Sequence, residues 1–208
     1  MIRTRHELTE KAWFITFTCF EWIPLFEITN SYHLVYNWLN IIDRKYQVKT
    51  LAFVIMPNHV HVLLQLPESV KSLNTIMANG KRFMAYDLVE QLTSLDQHEI
   101  LNQLSAACTD KEIAKGQKHK VFEPSFDAKP VYTLPFLHQK LDYIHRNPVS
   151  GKWNLCAEFT DYPHSSAAFY HDDKPYPETG SDIAAGLILR IGFIQRRIRD
   201  ARPSMILS

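Results

Sequence analysis

Apolar and polar positions alternate between two periods along this chain. Residues 12 to 20, AWFITFTCF, are β-branched and aromatic throughout and predict a buried or half-buried strand closed off by Pro24. From Phe26 to Lys45, the positions Leu34, Val35, Trp38, Leu39 and Ile42 recur at helical spacing, with Thr29, Asn30 and Ser31 as candidate caps. Two apolar runs follow, VKTLAFVIM (48 to 56) and HVHVLLQL (59 to 66), separated by Pro57-Asn58. Turn chemistry between two strand-like runs predicts a hairpin. A second helix is expected from about Lys71 to Leu92, through Leu73, Ile76, Met77, Phe83, Leu88 and Val89. Residues 93 to 117 are polar and helix-compatible, and 118 to 122 read as a short strand. The three prolines of FEPSFDAKPVYTLP (122 to 135) predict a loop, followed by a helix from Pro135 or Phe136 to about Asn147. Pro148 ends that helix, because the residue before a proline is pushed out of the α region.

The order strand, helix, strand-turn-strand, helix, weak strand, helix predicts an α+β fold. A ferredoxin-like antiparallel sheet with helices on one face is expected, carrying a helical insertion at about 93–117. Residues 1–170 are read as one domain. Residues 171–208 are read as a C-terminal extension, with a short helix around Ala184 to Arg199.

The chemistry-bearing positions interrupt this pattern. On a strand, side chains alternate faces, so His59 and His61 point the same way while Val60, Val62, Leu64 and Leu66 take the other face. Two imidazoles so placed are close enough to share one divalent cation; two half-buried structural histidines are the plain alternative. In KLDYIHRNPV (140 to 149), Tyr143 and Asn147 lie one helical turn apart on one face. The Asn147 oxygen could complete a three-ligand set, with Tyr143 beside the metal. A phenol, with an ordinary pKa of about 10, is a weak nucleophile unless the electrophile is polarised or the proton removed. The alternative for this pair is packing and helix capping, for which Asn-Pro is well suited.

FVIMPNHVHVLL, followed some eighty residues later by LDYIHRNPV, resembles the single-tyrosine HUH transposases, in particular the REP-associated tyrosine transposases. The stretch YPHSSAAFY (162 to 170) is similar to the aromatic-x-x-Ser-Ser-x-x-x-Tyr segment that follows in that family. The resemblance covers roughly residues 10 to 170. It implies a ferredoxin-like catalytic domain that cuts and rejoins single-stranded or hairpin DNA through a 5′-phosphotyrosine. Tyr143 would be the nucleophile, and His59, His61 and Asn147 would hold Mg²⁺ or Mn²⁺. Relatives include monomers and homodimers that exchange the tyrosine helix, so both states are open. His145, two residues from Tyr143 on a helix, points elsewhere and is left out of the site. The segment 93 to 120 is longer than the family pattern leads one to expect.

Composition changes this picture in three ways. A formal net charge of only +1 means that any DNA site must be a local basic patch. Cys19, Cys108 and Cys156 are odd in number and widely spaced, which suggests reduced thiols and a cytoplasmic setting rather than a disulfide framework. No stretch of 18 apolar residues occurs, so neither a membrane span nor a standard signal peptide is expected. The densest basic run is KEIAKGQKHK (111 to 120), which is either a phosphate-contacting patch or a solvated surface. The same two readings apply to Arg3 and Arg5, and to Arg190, Arg196, Arg197, Arg199 and Arg202. The rival functions are a non-catalytic nucleic-acid-binding module and a metal-dependent hydrolase in which Tyr143 orients a water.

Overall fold

The computed structural model describes residues 12–172 and 174–175. The basic residues expected near the N-terminus and the helix expected around 184 to 199 lie outside these residues. The elements run β1 (Ala12–Thr18), α1 (Leu25–Ile28), α2 (His33–Tyr46), β2 (Lys49–Met56), β3 (His59–Gln65), α3 (Leu73–Ser94), α4 (His98–Ala106), α5 (Asp110–Ile113), β4 (Asp127–Val131), α6 (Leu134–Arg146) and α7 (Ala167–His171). The sheet order is β2-β3-β1-β4, with every neighbouring pair antiparallel. This is the ferredoxin-like arrangement that the order of elements predicted, in the expected α+β class.

Helices on one face describe only part of it. Val60, Val62 and Leu64 of β3, with Ile15 and Phe17 of β1, pack against Val35, Leu39, Met77 and Leu88 of α2 and α3. The opposite face of the same strands is covered by α6, whose Leu137, Leu141 and Ile144 pack on Phe14, Val54, Met56 and Leu63. The sheet is thus a middle layer, and β3 is buried on both sides along almost its whole length. An amphipathic α6 demands this arrangement, because its apolar stripe needs a partner and the α2–α3 face is already filled.

The fourth strand lies at Asp127–Val131, inside the segment whose prolines predicted a loop. Val121 and Phe122, expected as that strand, make a single bridge from Phe122 to Cys19 and otherwise fill the core. Pro130 is tolerated because β4 is an edge strand bonded only to β1, so a missing N–H on its outer side breaks no ladder. Residues 93 to 117 form α4 and α5, as the polar helix-compatible reading allowed. The α5 turn is held by a capping box between Thr109 and Glu112.

The outer edge of β2 is covered by the 162–170 segment. Ile55 N–H donates to His164 O at 2.8 Å and Ser166 N–H to Phe53 O at 3.0 Å. The hydroxyls of Tyr162 and Tyr170 donate to the carbonyls of Ile55 and Leu51. An exposed strand edge invites pairing with another chain, and this segment removes it. Among the described residues, no helix is long and apolar enough to cross a membrane.

The close approach of α2 and α3 depends on Gly80, where an added Cβ would fall 2.3 Å from Trp38 Nε1. The indole is rigid and buried, so Gly80→Ala should cost about 1–3 kcal/mol of stability by overpacking, despite its better helix propensity. Urea denaturation checks this; an unchanged midpoint would show that the two helices can part without loss.

Candidate active site

Two of the four residues singled out as a site come from β3 and two from the end of α6. His59 opens β3 immediately after the Pro57-Asn58 turn, and that turn is docked by Cys19 N–H on Asn58 O and Phe26 N–H on Pro57 O. The strand alternation aims both imidazoles at the α6 side. There they are nearly fully buried, with ring centroids 4.7 Å apart.

Each Nδ1 has a partner. His59 Nδ1 lies 2.7 Å from Asn58 Oδ1, and His61 Nδ1 lies 2.7 Å from Thr16 Oγ1 on the neighbouring strand. A carboxamide oxygen can only accept, so the His59 proton sits on Nδ1 and its lone pair on Nε2. The Thr16 hydroxyl can accept in the same sense from His61. Burial pushes the His59 pKa down to about 4, helped by Lys152 and opposed by the side chain of Asn147. Burial, then the His59 and Lys140 charges, push His61 down to about 3. Both rings are therefore neutral at pH 7 and carry available lone pairs.

Asn147 is the C-cap of α6 and is itself buried. Among the described residues, only a few buried side-chain atoms lack a hydrogen-bond partner, and two of them are His61 Nε2 and Asn147 Oδ1. An orphaned buried acceptor costs roughly 1–3 kcal/mol and calls for an explanation such as a bound ion. The two orphans belong to the residues whose spacing suggested a ligand set. No group of three His, Cys, Asp or Glu side chains converges among the described residues, so a cation here would rest on two imidazoles and an amide.

Tyr143 stands beside this set in the same chain. Its ring meets His61 edge-on at 5.0 Å and Phe14 at 5.9 Å, while about half of the residue remains exposed. The aromatic walls hold the ring and leave the phenol reachable. Lys140, one turn earlier, places its ammonium 4.5 Å from the Phe14 ring centre and 5.4 Å from that of Tyr143. Sequence reasoning missed Lys140, although its position three residues before Tyr143 was the available signal.

The remaining candidates separate from the site. His145 is buried, with Nε2 3.1 Å from Ser166 Oγ, and ties α6 to the segment that covers β2. Cys19 is a core thiol whose pKa burial pushes up. The basic run at 111 to 120 lies across α3, on the side of the sheet away from α6.

No family model matches the chain. A curated protein of Haemophilus influenzae, provisionally named a REP-associated tyrosine transposase, is 28% identical over 137 residues. Those residues are 64% of this chain and 66% of that protein, so the match spans just under two thirds of the relative's length. A solved REP-associated tyrosine transposase bound to a REP hairpin shares the fold at TM-score 0.50 and 18% identity, over 88% of this chain and 93% of that one. A protein of Deinococcus radiodurans provisionally described as a transposase, at TM-score 0.37 and 12% identity over 69% of this chain and 95% of its own, is too distant to carry weight. The resemblance read from the two motifs is borne out by the curated relative and by the shared fold.

Thr16→Val should leave the buried His61 Nδ1 unpaired and destabilise the protein by about 1–3 kcal/mol, with Thr16→Ser recovering most of the loss. Denaturant midpoints test it; a neutral Thr16→Val would mean that the strand pair does not depend on this bond.

Proposed function

With kinship to the REP-associated tyrosine transposases as its premise, we propose that this chain cuts and rejoins single-stranded DNA by transesterification at Tyr143, in DNA transposition or a related mobilisation. The observation that carries this reading is the half-exposed tyrosine ring packed against buried His61, whose Nε2, like Asn147 Oδ1, has no hydrogen-bond partner. The Tyr143 oxygen attacks a phosphodiester. The new bond joins that oxygen to phosphorus, and the bond from phosphorus to the 3′ oxygen breaks. The phenolic proton is given up to solvent and the departing 3′ oxygen takes one from solvent. The product is a 5′-phosphotyrosine, and attack by a 3′-hydroxyl reverses the step without an external energy source.

His59 Nε2, His61 Nε2 and Asn147 Oδ1 would hold a divalent cation, Mg²⁺ or Mn²⁺, which when bound polarises the scissile phosphate. Two imidazoles suit Mn²⁺ better than Mg²⁺. Asn58 and Thr16 fix the two rings with their lone pairs inward, as outer partners of metal-bound histidines do. Lys140 adds a cation on the tyrosine side, where phosphate charge would gather. In this reading Tyr143, His59, His61 and Asn147 of one chain act together; in a homodimer that exchanges the tyrosine helix the same four residues would act in trans. A reaction on DNA by a protein with free thiols fits the cytoplasm.

Incubation with end-labelled single-stranded DNA from the flanks of its own gene, with Mn²⁺ or with chelator, should give an SDS-resistant protein–DNA adduct only with metal. Tyr143→Phe should abolish the adduct and keep DNA binding, because only the nucleophilic oxygen is removed. His59→Ala should lose metal binding and cleavage together. Cut strands without adduct would replace this reading with the hydrolase, and tight binding to intact strands with the binding module.

A further inference from the structure

The basic run at 111 to 120 forms one wall of a groove whose other wall is α3. Ala78, Arg82, Ala85, Tyr86 and Val89 line the helix side, residues 115–124 line the other, and the cavity between them measures about 720 Å³. The two alanines leave the floor open, and the insertion is anchored beneath by Leu104, Val121 and Phe122 in the core. Lys81 fixes the wall in place, its ammonium donating to the carbonyls of Glu123, Pro124 and Ser125.

Charge is concentrated here in a chain that is nearly neutral overall. Five Lys or Arg side chains line the groove against two carboxylates, those of Glu112 and Glu123. Both carboxylates are bonded to backbone amides, Glu112 to Thr109 N–H and Glu123 to Glu21 N–H. Lys115 and Lys118 are exposed. Tyr86, within the groove, is also largely exposed, as is its neighbour Phe83. Cations interleaved with exposed aromatic rings are the chemistry of single-strand binding, where lysines follow the phosphates and rings stack on bases.

The groove lies on the other face of the sheet from α6 and leads to the site around the end of β1, through the turn that follows it. Glu123 holds Glu21, Phe20 N–H donates to Val121 O, and Lys120 lies 5.4 Å from the Phe20 ring centre. The next residue, Trp22, is 55% exposed and meets the His59 ring edge-on at 5.5 Å. Its φ of +61°, after +49° at Glu21, is a strained conformation for a bulky residue. Asn58 maintains it, giving Nδ2–H to Trp22 O at 2.7 Å while its Oδ1 pairs with His59. One asparagine therefore couples the indole to the metal-site histidine. Burial does not explain the strain, because the ring is left in water.

We propose that single-stranded DNA reaches the site along the groove between α3 and residues 115–124, with Trp22 as the ring on which a base stacks beside His59. This rests on the reading of the site as a DNA-cutting one and adds the path and the contacts. Phosphates lie along Lys115 and Lys118, and Tyr86 offers a second stacking surface.

The test uses the full chain carrying Tyr143→Phe and a fluorescein-labelled oligothymidylate, with anisotropy read across a salt series. Lys115→Gln with Lys118→Gln should weaken binding about tenfold or more at low salt. It should also flatten the slope of log K on log salt by about 1.4, because two fewer phosphates are neutralised. Trp22→Ala should weaken binding by roughly fivefold to a hundredfold with the slope kept, and Trp22→Phe should retain most of the affinity. Melting temperatures establish that each variant is folded. Unchanged affinity and slope in the lysine variant, or equal binding by Trp22→Ala and its parent, would overturn the proposal. Covalent adduct formation with Tyr143 intact is read separately. An adduct with groove variants that bind normally removes the groove alone. Groove variants that bind poorly, in a protein that never forms an adduct, sustain the groove and remove the cutting reaction.

Discussion

Burial of the His59–His61 face of β3 beneath α6 is the constraint on which the rest of the molecule turns. A strand covered on both sides would ordinarily be apolar on both sides. Here one side is Val60, Val62 and Leu64, and the other begins with two imidazoles. Burying those rings is tolerable only if they stay neutral and their nitrogens find partners. Desolvation secures the first condition; Asn58 and Thr16 secure the second for Nδ1 alone. The residual cost sits on His61 Nε2 and Asn147 Oδ1, which share the site. As plain packing the arrangement is destabilising.

Tyr143 stands against that pair on a helix whose position is held from several sides. Leu141 and Ile144 press α6 onto the sheet on either side of Tyr143 in sequence, which leaves the tyrosine itself at the rim. His145 reaches the other way, to Ser166, and Ser166 in turn bonds both backbone groups of Phe53. The Ser-Ser segment therefore does two things at once. It closes the β2 edge, and it ties the tyrosine helix to the strand next to the one that carries the histidines. A sub-ångström slip of α6 would strain all of these bonds, so the register of Tyr143 against His61 is well defined.

The sequence made these relations partly legible, for identifiable reasons. Period-two alternation assigned His59 and His61 to one face, and helical spacing put Tyr143 and Asn147 on one stripe, because both rules are local. The cover over the histidines was not visible, since an amphipathic helix declares an apolar stripe but not which layer it joins. The β4 strand was obscured by Pro130, a residue that breaks central strands and is harmless on an edge. Edge status is a property of the sheet and not of the segment. Trp22 was equally hidden, because its strain and exposure arise from Asn58 and Glu123, which lie far along the chain.

Net charge was the feature least favourable to a DNA-handling protein, and its force weakens once position is considered. Phosphate contacts depend on cations within about a Debye length, near 10 Å at ordinary ionic strength, and not on the sum over the chain. Acidic side chains on the far turns of α3 and on α4, such as Glu90 and Glu99, reduce the total without entering the groove. The two carboxylates that do line it are bonded to backbone amides, where they shape the walls. Lys140 stands beside Tyr143, and a second group of cations gathers in the groove across α3, on the opposite face of the sheet. Under the proposed DNA-cutting role, that distribution favours a strand lying in the groove over the indiscriminate attraction of a uniformly basic surface.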